Sequence, residues 1–162
     1  MCNLTVQLFV RRVLEKYPLR QDVLEFGSKN YNGSVRGAFP PETRYFGIDL
    51  VPGNGVDLIA DATTYRPPWP VDTVICNTLL EHTPYPDLVV FNAWQCLEPG
   101  GLLILVAPCD PWPEHGADGG PLKPGEHYAN ITEEQLRGWA SMFEDVQIER
   151  SGDNLLLMVA IK

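Results

Sequence analysis

Two hydrophobic rhythms divide this chain. From Leu4 to Tyr17 apolar residues recur at 6, 9, 10, 13, 14 and 17, the spacing of one helix face, with Arg11, Arg12 and Lys16 on the other side. Pro18 sets the predicted end of that helix. Beyond it the rhythm shortens to apolar runs bounded by turns, which predict strands over 22–26, 44–50, 55–60, 71–77 and 102–107. The run at 71–77, VDTVICN, is apolar enough to be a central strand buried on both faces. Helices are predicted over 33–39, stopped by Pro40-Pro41, and over 84–97, with Pro84 and Pro86 in the first turn and a stop at Glu98-Pro99-Gly100-Gly101. The proline-rich connection 62–70 has no room for a full helix. A capping box, Thr132 followed by Gln135, starts a helix running to about Met142. Two closing strands, 143–150 and 154–161, are joined only by Ser151-Gly152-Asp153, and a connection that short makes an antiparallel hairpin. The alternation predicts one α/β domain, a doubly wound parallel sheet with one reversed strand.

The stretch Asp22 to Gly33, DVLEFGSKNYNG, is the centre of this arrangement. A buried strand ends at Gly27, where the absence of a Cβ lets a ligand approach the backbone. Glu25, two residues earlier, is placed to meet a cationic ligand group. Asp49 follows Gly27 by 22 residues at the tip of the next strand, a type and spacing suited to a bidentate grip on ribose hydroxyls. Asp61, at the tip of the third strand, is placed to accept a hydrogen bond from an adenine amino group. Each of these residues also has a plain reading as a strand end or a turn former.

Composition narrows the classes. A chain of 162 residues suits a single core, and 44% apolar with 20% charged content suits a globule. A net charge of −9 disfavours nonspecific binding to nucleic acid or to anionic membranes. The local basic group Arg11, Arg12, Lys16 and Arg20 reads as a solvated helix face. No signal pattern or long apolar run is present, so the expected compartment is the cytoplasm. Cys76 and Cys96 read as small core residues, while Cys109 falls in a loop and is expected to be accessible. The cysteines and histidines have no metal-binding spacing, so no metal site is expected. Residues 108–131 form a long loop leaving the ligand-binding end of the sheet. It carries Trp112, His115, His127 and Tyr128, and reads as a lid.

Four segments together, VLEFGSKNYNGSVRG, YFGIDLVPGNGVDLIAD, VDTVICNTLLEH and CLEPGGLLILVAP, resemble the class I S-adenosylmethionine-dependent methyltransferases, and among them the methyltransferase 11 group. The resemblance covers about 20–161, with Lys29 standing where a second glycine is common. It implies seven Rossmann-like strands in the order 3-2-1-4-5-7-6 with strand 7 antiparallel, and S-adenosyl-L-methionine as cofactor. Glu25, Gly27 and Ser28 would line its methionine end. Asp49 would hold the ribose, Leu50 would pack on adenine, and Asp61 and Ala62 would meet the adenine edge. Asn77 and Leu79 would lie under the sulfonium, with Glu81 and His82 near the acceptor. In related sequences the loop after strand five carries an acid-Tyr-Trp-Arg-Phe-Thr pattern; here it reads His127-Tyr128-Ala129-Asn130-Ile131-Thr132, without the arginine.

The implied reaction is an in-line displacement at a sulfonium methyl, in which positioning is the main task. Where the acceptor must lose a proton, His82 is the first candidate base, followed by His115 and His127. The strand-four tip, Asn77-Thr78-Leu79-Leu80, lacks the pattern of amino-methylating nucleic-acid enzymes. The acceptor is therefore expected to be small or presented by a partner protein, and a homodimer is compatible with the chain. The alternative is a non-catalytic interaction subunit on the same fold. A nicotinamide oxidoreductase is disfavoured, because Gly27 and Gly33 have no glycine between them.

Overall fold

A computed structural model describes residues 4–17 and 21–162. Cys2, Pro18 and Arg20 lie outside them. The predicted strands associate into one seven-stranded sheet: β1 (Asp22–Phe26), β2 (Arg44–Asp49), β3 (Leu58–Ile59), β4 (Val71–Asn77), β5 (Leu97–Pro108), β6 (Asp145–Arg150) and β7 (Leu155–Ile161). Their order is β3-β2-β1-β4-β5-β7-β6. Pairings among β1 to β5 are parallel, and β7 runs antiparallel to both β5 and β6. The expected topology is therefore present. The reversed strand follows from the short 151–154 connection, where Asn154 takes a positive φ of 57° to close the turn.

Period-2 alternation sorts the strand residues onto two faces. Leu24, Phe26, Cys76, Leu103, Leu105 and Met158 point toward α2 (Pro86–Cys96) and α3 (Glu133–Trp139). Val23, Ile75, Ile104, Val106, Leu157 and Val159 point toward α1 (Leu4–Lys16), which buries Val6, Phe9, Val10 and Val13 against them. The basic side of α1 is partly paired rather than solvated: Arg12 forms an ion pair with Glu149, and Lys16 donates to Gln147 at 3.0 Å. The α3 capping box forms as the sequence predicts, with Thr132 Oγ1 accepting from Gln135 N–H and Gln135 Oε1 accepting from Thr132 N–H. No described helix is long and apolar enough to cross a membrane.

Four local expectations are corrected. The helix over 33–39 is only a 3-10 turn, Arg36–Ala38. Gly33 has φ 117°, outside helical space, and too few residues remain before Pro40 for a stable α-turn. The strand over 55–60 shrinks to Leu58–Ile59, because Gly55 (φ 89°) bends the chain away. Pairing of β4 with β5 begins at Leu97 and resumes at Leu102, so Glu98-Pro99-Gly100-Gly101 is a bulge within the strand rather than a separate turn. Cys109 is 5% exposed, tucked under α3 and Ile131 rather than presented by the loop.

The β1 and β2 tips are held by close backbone contact. Gly27 N–H and Ser28 N–H both donate to Ile48 O, at 2.9 and 3.0 Å, and Asn30 N–H donates to Asn54 O at 2.8 Å. The interlock depends on Gly47. A Cβ there would lie 2.5 Å from Ser28 Cβ and 2.6 Å from the Gly55 carbonyl oxygen. Gly47→Ala is expected to lower the unfolding free energy by about 2 kcal/mol, within the usual cost of overpacking. Urea denaturation reads this directly, and an unchanged midpoint would mean that the 51–55 loop yields without cost.

Candidate functional site

The carboxyl ends of β1, β2, β3 and β4 converge, and each carries a residue singled out by the sequence. Gly27 ends β1 with φ 72°, a conformation that favours glycine. A Cβ at this position would sit 3.3 Å from both Cβ and Cδ1 of Leu79, so Leu79 from the β4 tip lies directly over the glycine turn. Asp49 ends β2 and reaches across to the β1 turn. One carboxylate oxygen accepts from Lys29 N–H at 3.1 Å and the other from Val51 N–H at 3.2 Å. A carboxylate offers about four acceptor sites, so both oxygens keep capacity for a diol. Leu50 beside it is 66% exposed. Asp61, past β3, is exposed, and its Oδ1 accepts from both N–H and Oγ1 of Thr63. Ala62 is fixed through its carbonyl, which accepts from Asn92 Nδ2 at 2.7 Å.

Two of the predicted residues are buried rather than open. Ser28 is 3% exposed and turned toward Gly47, with its Oγ lacking a partner. Glu25 is 4% exposed and its Oε2 has no hydrogen-bond partner. Burial pushes the Glu25 carboxyl up to about 7, against the opposing pull of a hydrogen bond from Tyr45 and the charge of Arg36. Arg36 is itself engaged, stacked on the Tyr45 ring at 4.7 Å and paired with Asp57. Sequence reasoning passed over Tyr45 and Arg36. The one signal was a tyrosine at alternating register with Glu25 on the neighbouring strand, where Val23 pairs Tyr45 and Glu25 pairs Gly47. Asn92, also passed over, is a polar residue on the buried face of α2, and it donates to the Tyr65 carbonyl at 2.9 Å as well.

The β4 tip turns sharply. Thr78 has φ 49°, a costly conformation for a β-branched residue, and its N–H donates to Val106 O at 2.8 Å. The chain then enters a 3-10 turn, Leu80–His82. Glu81 is 1% exposed with Oε2 unpartnered, and burial raises its carboxyl to about 7. His82 is half-buried, and burial together with His115 lowers its imidazole to about 4, so at pH 7 it is neutral but a weaker proton acceptor than a free imidazole.

The 108–131 loop folds back onto this turn. Asn130 Nδ2 donates to Asp110 Oδ1 and to Trp112 O, both at 2.8 Å, and Tyr128 OH donates to Asn130 Oδ1 at 3.0 Å. Ala129 N–H donates to Glu81 O at 2.9 Å. These bonds bring His115 and Tyr128 against His82: ring centroids are 5.2 Å apart for His82–His115, 5.5 Å for His82–Tyr128 and 4.8 Å for His115–Tyr128. The side chain of His127 is exposed and outside this cluster, although its backbone contacts His82.

The whole arrangement has counterparts of known structure. A SAM-dependent methyltransferase from Archaeoglobus fulgidus superposes with a TM-score of 0.70 over 98% of this chain and 93% of that one, at 16% identity. The chain has the class I S-adenosylmethionine-dependent methyltransferase fold. The 1,6-didemethyltoxoflavin-N1-methyltransferase of Burkholderia thailandensis, crystallised with bound 1,6-didemethyltoxoflavin and S-adenosylhomocysteine, matches with a TM-score of 0.69 at 18% identity over 96% of this chain and 77% of that one. The N-methyltransferase NodS of Bradyrhizobium japonicum, in complex with S-adenosylhomocysteine, gives 0.65 at 14% identity, covering 96% and 84%. No protein-family model and no curated protein sequence matches the chain. Among the described residues a single 3-10 turn stands between β1 and β2, and no helix stands between β3 and β4.

Proposed function

We propose that this protein binds S-adenosyl-L-methionine across the β1–β4 tips and transfers its methyl group to a small or partner-presented acceptor beside His82. The observation that carries the reading is the placement of Asp49: a part-exposed carboxylate at the β2 tip, joined to the β1 turn through Lys29 N–H and otherwise held only by the local amide of Val51. The residues present fit the cofactor chemically. Glu25 holds a buried oxygen without a partner, suited to an ammonium group, and Gly27 makes the positive-φ turn at the β1 tip that a side chain would strain. Leu50 offers an exposed apolar surface to a purine, with Asp61 and Ala62 at its edge.

Bound here, S-adenosylmethionine supplies an electrophilic methyl group on a sulfonium whose departure leaves a neutral thioether. The protein's own work is positioning and proton handling. Asp49 fixes the ribose, Glu25 and the 27–28 turn fix the methionine end, and Asn77 and Leu79 at the β4 tip fix the point of transfer. Correct placement of two reactants is worth several kcal/mol of barrier, on the order of 7–11 in the best cases. Where the acceptor must lose a proton, neutral His82 takes it, with His115 beside it; the exposed ring of His127 is the weaker candidate. The 108–131 loop covers the acceptor side and screens it from water.

Calorimetric titration with S-adenosylmethionine and S-adenosylhomocysteine tests the reading. Binding in the micromolar range is expected. No heat at millimolar ligand would overturn it and direct attention to an interaction subunit built on the same fold.

A further inference from the structure

The acceptor-side cluster has a property that proton transfer alone does not explain. Glu81, His82 and His115 each present one ligand-type atom, and these atoms lie within 4.8 Å of one another. Glu81 Oε1 and His82 Nε2 are 3.8 Å apart, close but too far for a hydrogen bond. Burial makes that gap costly. Glu81 is 1% exposed with Oε2 unpartnered, and His82 Nδ1 is a second buried atom without a partner. Among the described residues Glu81 has no lysine or arginine as an ion-pair partner. Buried polar groups of this kind are normally satisfied, so an orphaned atom on each of two adjoining residues, beside a third ligand-type side chain, points to an absent partner.

We infer that Glu81, His82 and His115 form a three-residue site for a first-row divalent cation such as Zn²⁺. Two imidazoles and one carboxylate are the donor set of such ions, whereas Mg²⁺ and Ca²⁺ favour oxygen alone. Bonds of about 2.0–2.2 Å in a tetrahedral site place ligand atoms roughly 3.4 Å apart, a modest contraction of the present spacing. Three protein ligands leave a fourth position open. Two ligands come from the 3-10 turn Leu80–His82 and the third from the 108–131 loop, so the ion would also fasten that loop over the site. The remaining side of the cluster is closed by Tyr128, whose hydroxyl is already donated to Asn130.

The inference rests on the methyl-transfer reading for its purpose. An acceptor hydroxyl or thiol coordinating the open position loses its proton to solvent more readily, because the cation stabilises the anion formed. His82 and His115 then serve as ligands, and the ion does the work assigned to His82 in the metal-free protein.

The test is a titration of the tag-free full chain with Co²⁺, followed by visible absorption, with Zn²⁺ added in competition. One saturable ion per chain is expected, displaced by Zn²⁺. His115→Ala is expected to weaken binding by at least about tenfold, as loss of a single metal-supporting group typically does. That loop residue can be removed without disturbing the core, and the exposed His127→Ala should bind Co²⁺ as the parent does. Absence of saturable Co²⁺ binding, or equal binding by His115→Ala, overturns the site. The two readings separate cleanly: Asp49→Ala should keep Co²⁺ while losing S-adenosylhomocysteine, and His115→Ala should do the reverse. Intact Co²⁺ binding without any cofactor binding would uphold the metal site and remove the methyl-transfer reading.

Discussion

Asp49→Ala is expected to lower affinity for S-adenosylhomocysteine at least about 100-fold, with little change in stability. Hydrogen bonds to a charged partner contribute roughly 1.5–3 kcal/mol each, and a ribose diol takes two. Loss of about 3 kcal/mol corresponds to more than two orders of magnitude in Kd. The structural cost should be small, because the two groups that Asp49 binds within the protein are backbone amides of surface turns, Lys29 N–H and Val51 N–H. Water can replace the carboxylate at both, and the β1–β2 interlock through Ile48 O and Asn54 O remains. Calorimetry of the variant, with a thermal melt alongside, decides the matter. Asp49→Asn should fall between the two proteins, since it retains an acceptor but not the charge. Unchanged affinity in the alanine variant would remove the ribose assignment.

The second large effect concerns Glu25 and pH. Its carboxyl ionises near 7 in the folded protein, against an ordinary value of 4.5, because burial penalises the anion. Between these values the folded chain holds a proton that the unfolded chain has released. Stability therefore falls as pH rises from about 4.5 through 7, and the folded state at pH 8 carries a penalty on the order of 3 kcal/mol. Glu25→Gln removes the charge and keeps the shape. It is expected to be more stable than the parent at pH 8 by a few kcal/mol, with the difference shrinking toward pH 4.5. Glu81 ionises high for the same reason, so both proteins keep some slope; their difference isolates Glu25. Denaturant midpoints across pH 4.5–8 measure it, and parallel curves would mean that the Glu25 carboxyl is solvated.

The same substitution should weaken cofactor binding. A buried carboxylate with an unpartnered oxygen is stabilised by an incoming ammonium group, and a glutamine cannot supply that charge. Lower affinity with higher stability would be the usual exchange between site function and fold stability. It would also explain why so costly a group sits at the end of a central strand.

Much of the molecule is legible along the chain. The alternation of apolar runs with helical spacing locates six of the seven strands to within a few residues, and a four-residue connection forces the reversed β7. Thr132 and Gln135 announce the start of α3 through a motif whose two hydrogen bonds are local. The convergence of Gly27, Asp49 and Asp61 is legible from position, because a parallel sheet brings the carboxyl ends of its strands to one edge. The weak points are short elements. Over 33–39 and 55–60 the residues suit the predicted element, but a single positive-φ glycine and the available length settle the conformation.

Contiguous residues set the order of elements, the inward face of each and the edge at which the strand tips meet, since periods of 2 and 3.6 are local properties of the chain. Long-range packing brings His115 and Tyr128 against His82, sets Glu25 among Tyr45 and Arg36 with an oxygen unmet, and covers Cys109. The loop carrying His115 has no periodicity to read. Its path is set by the Asn130 clamp and the Ala129–Glu81 backbone bond. Burial, which moves the ionisation of Glu25, Glu81 and His82, is a sum over neighbours distant in sequence and exists only once the chain has closed around them.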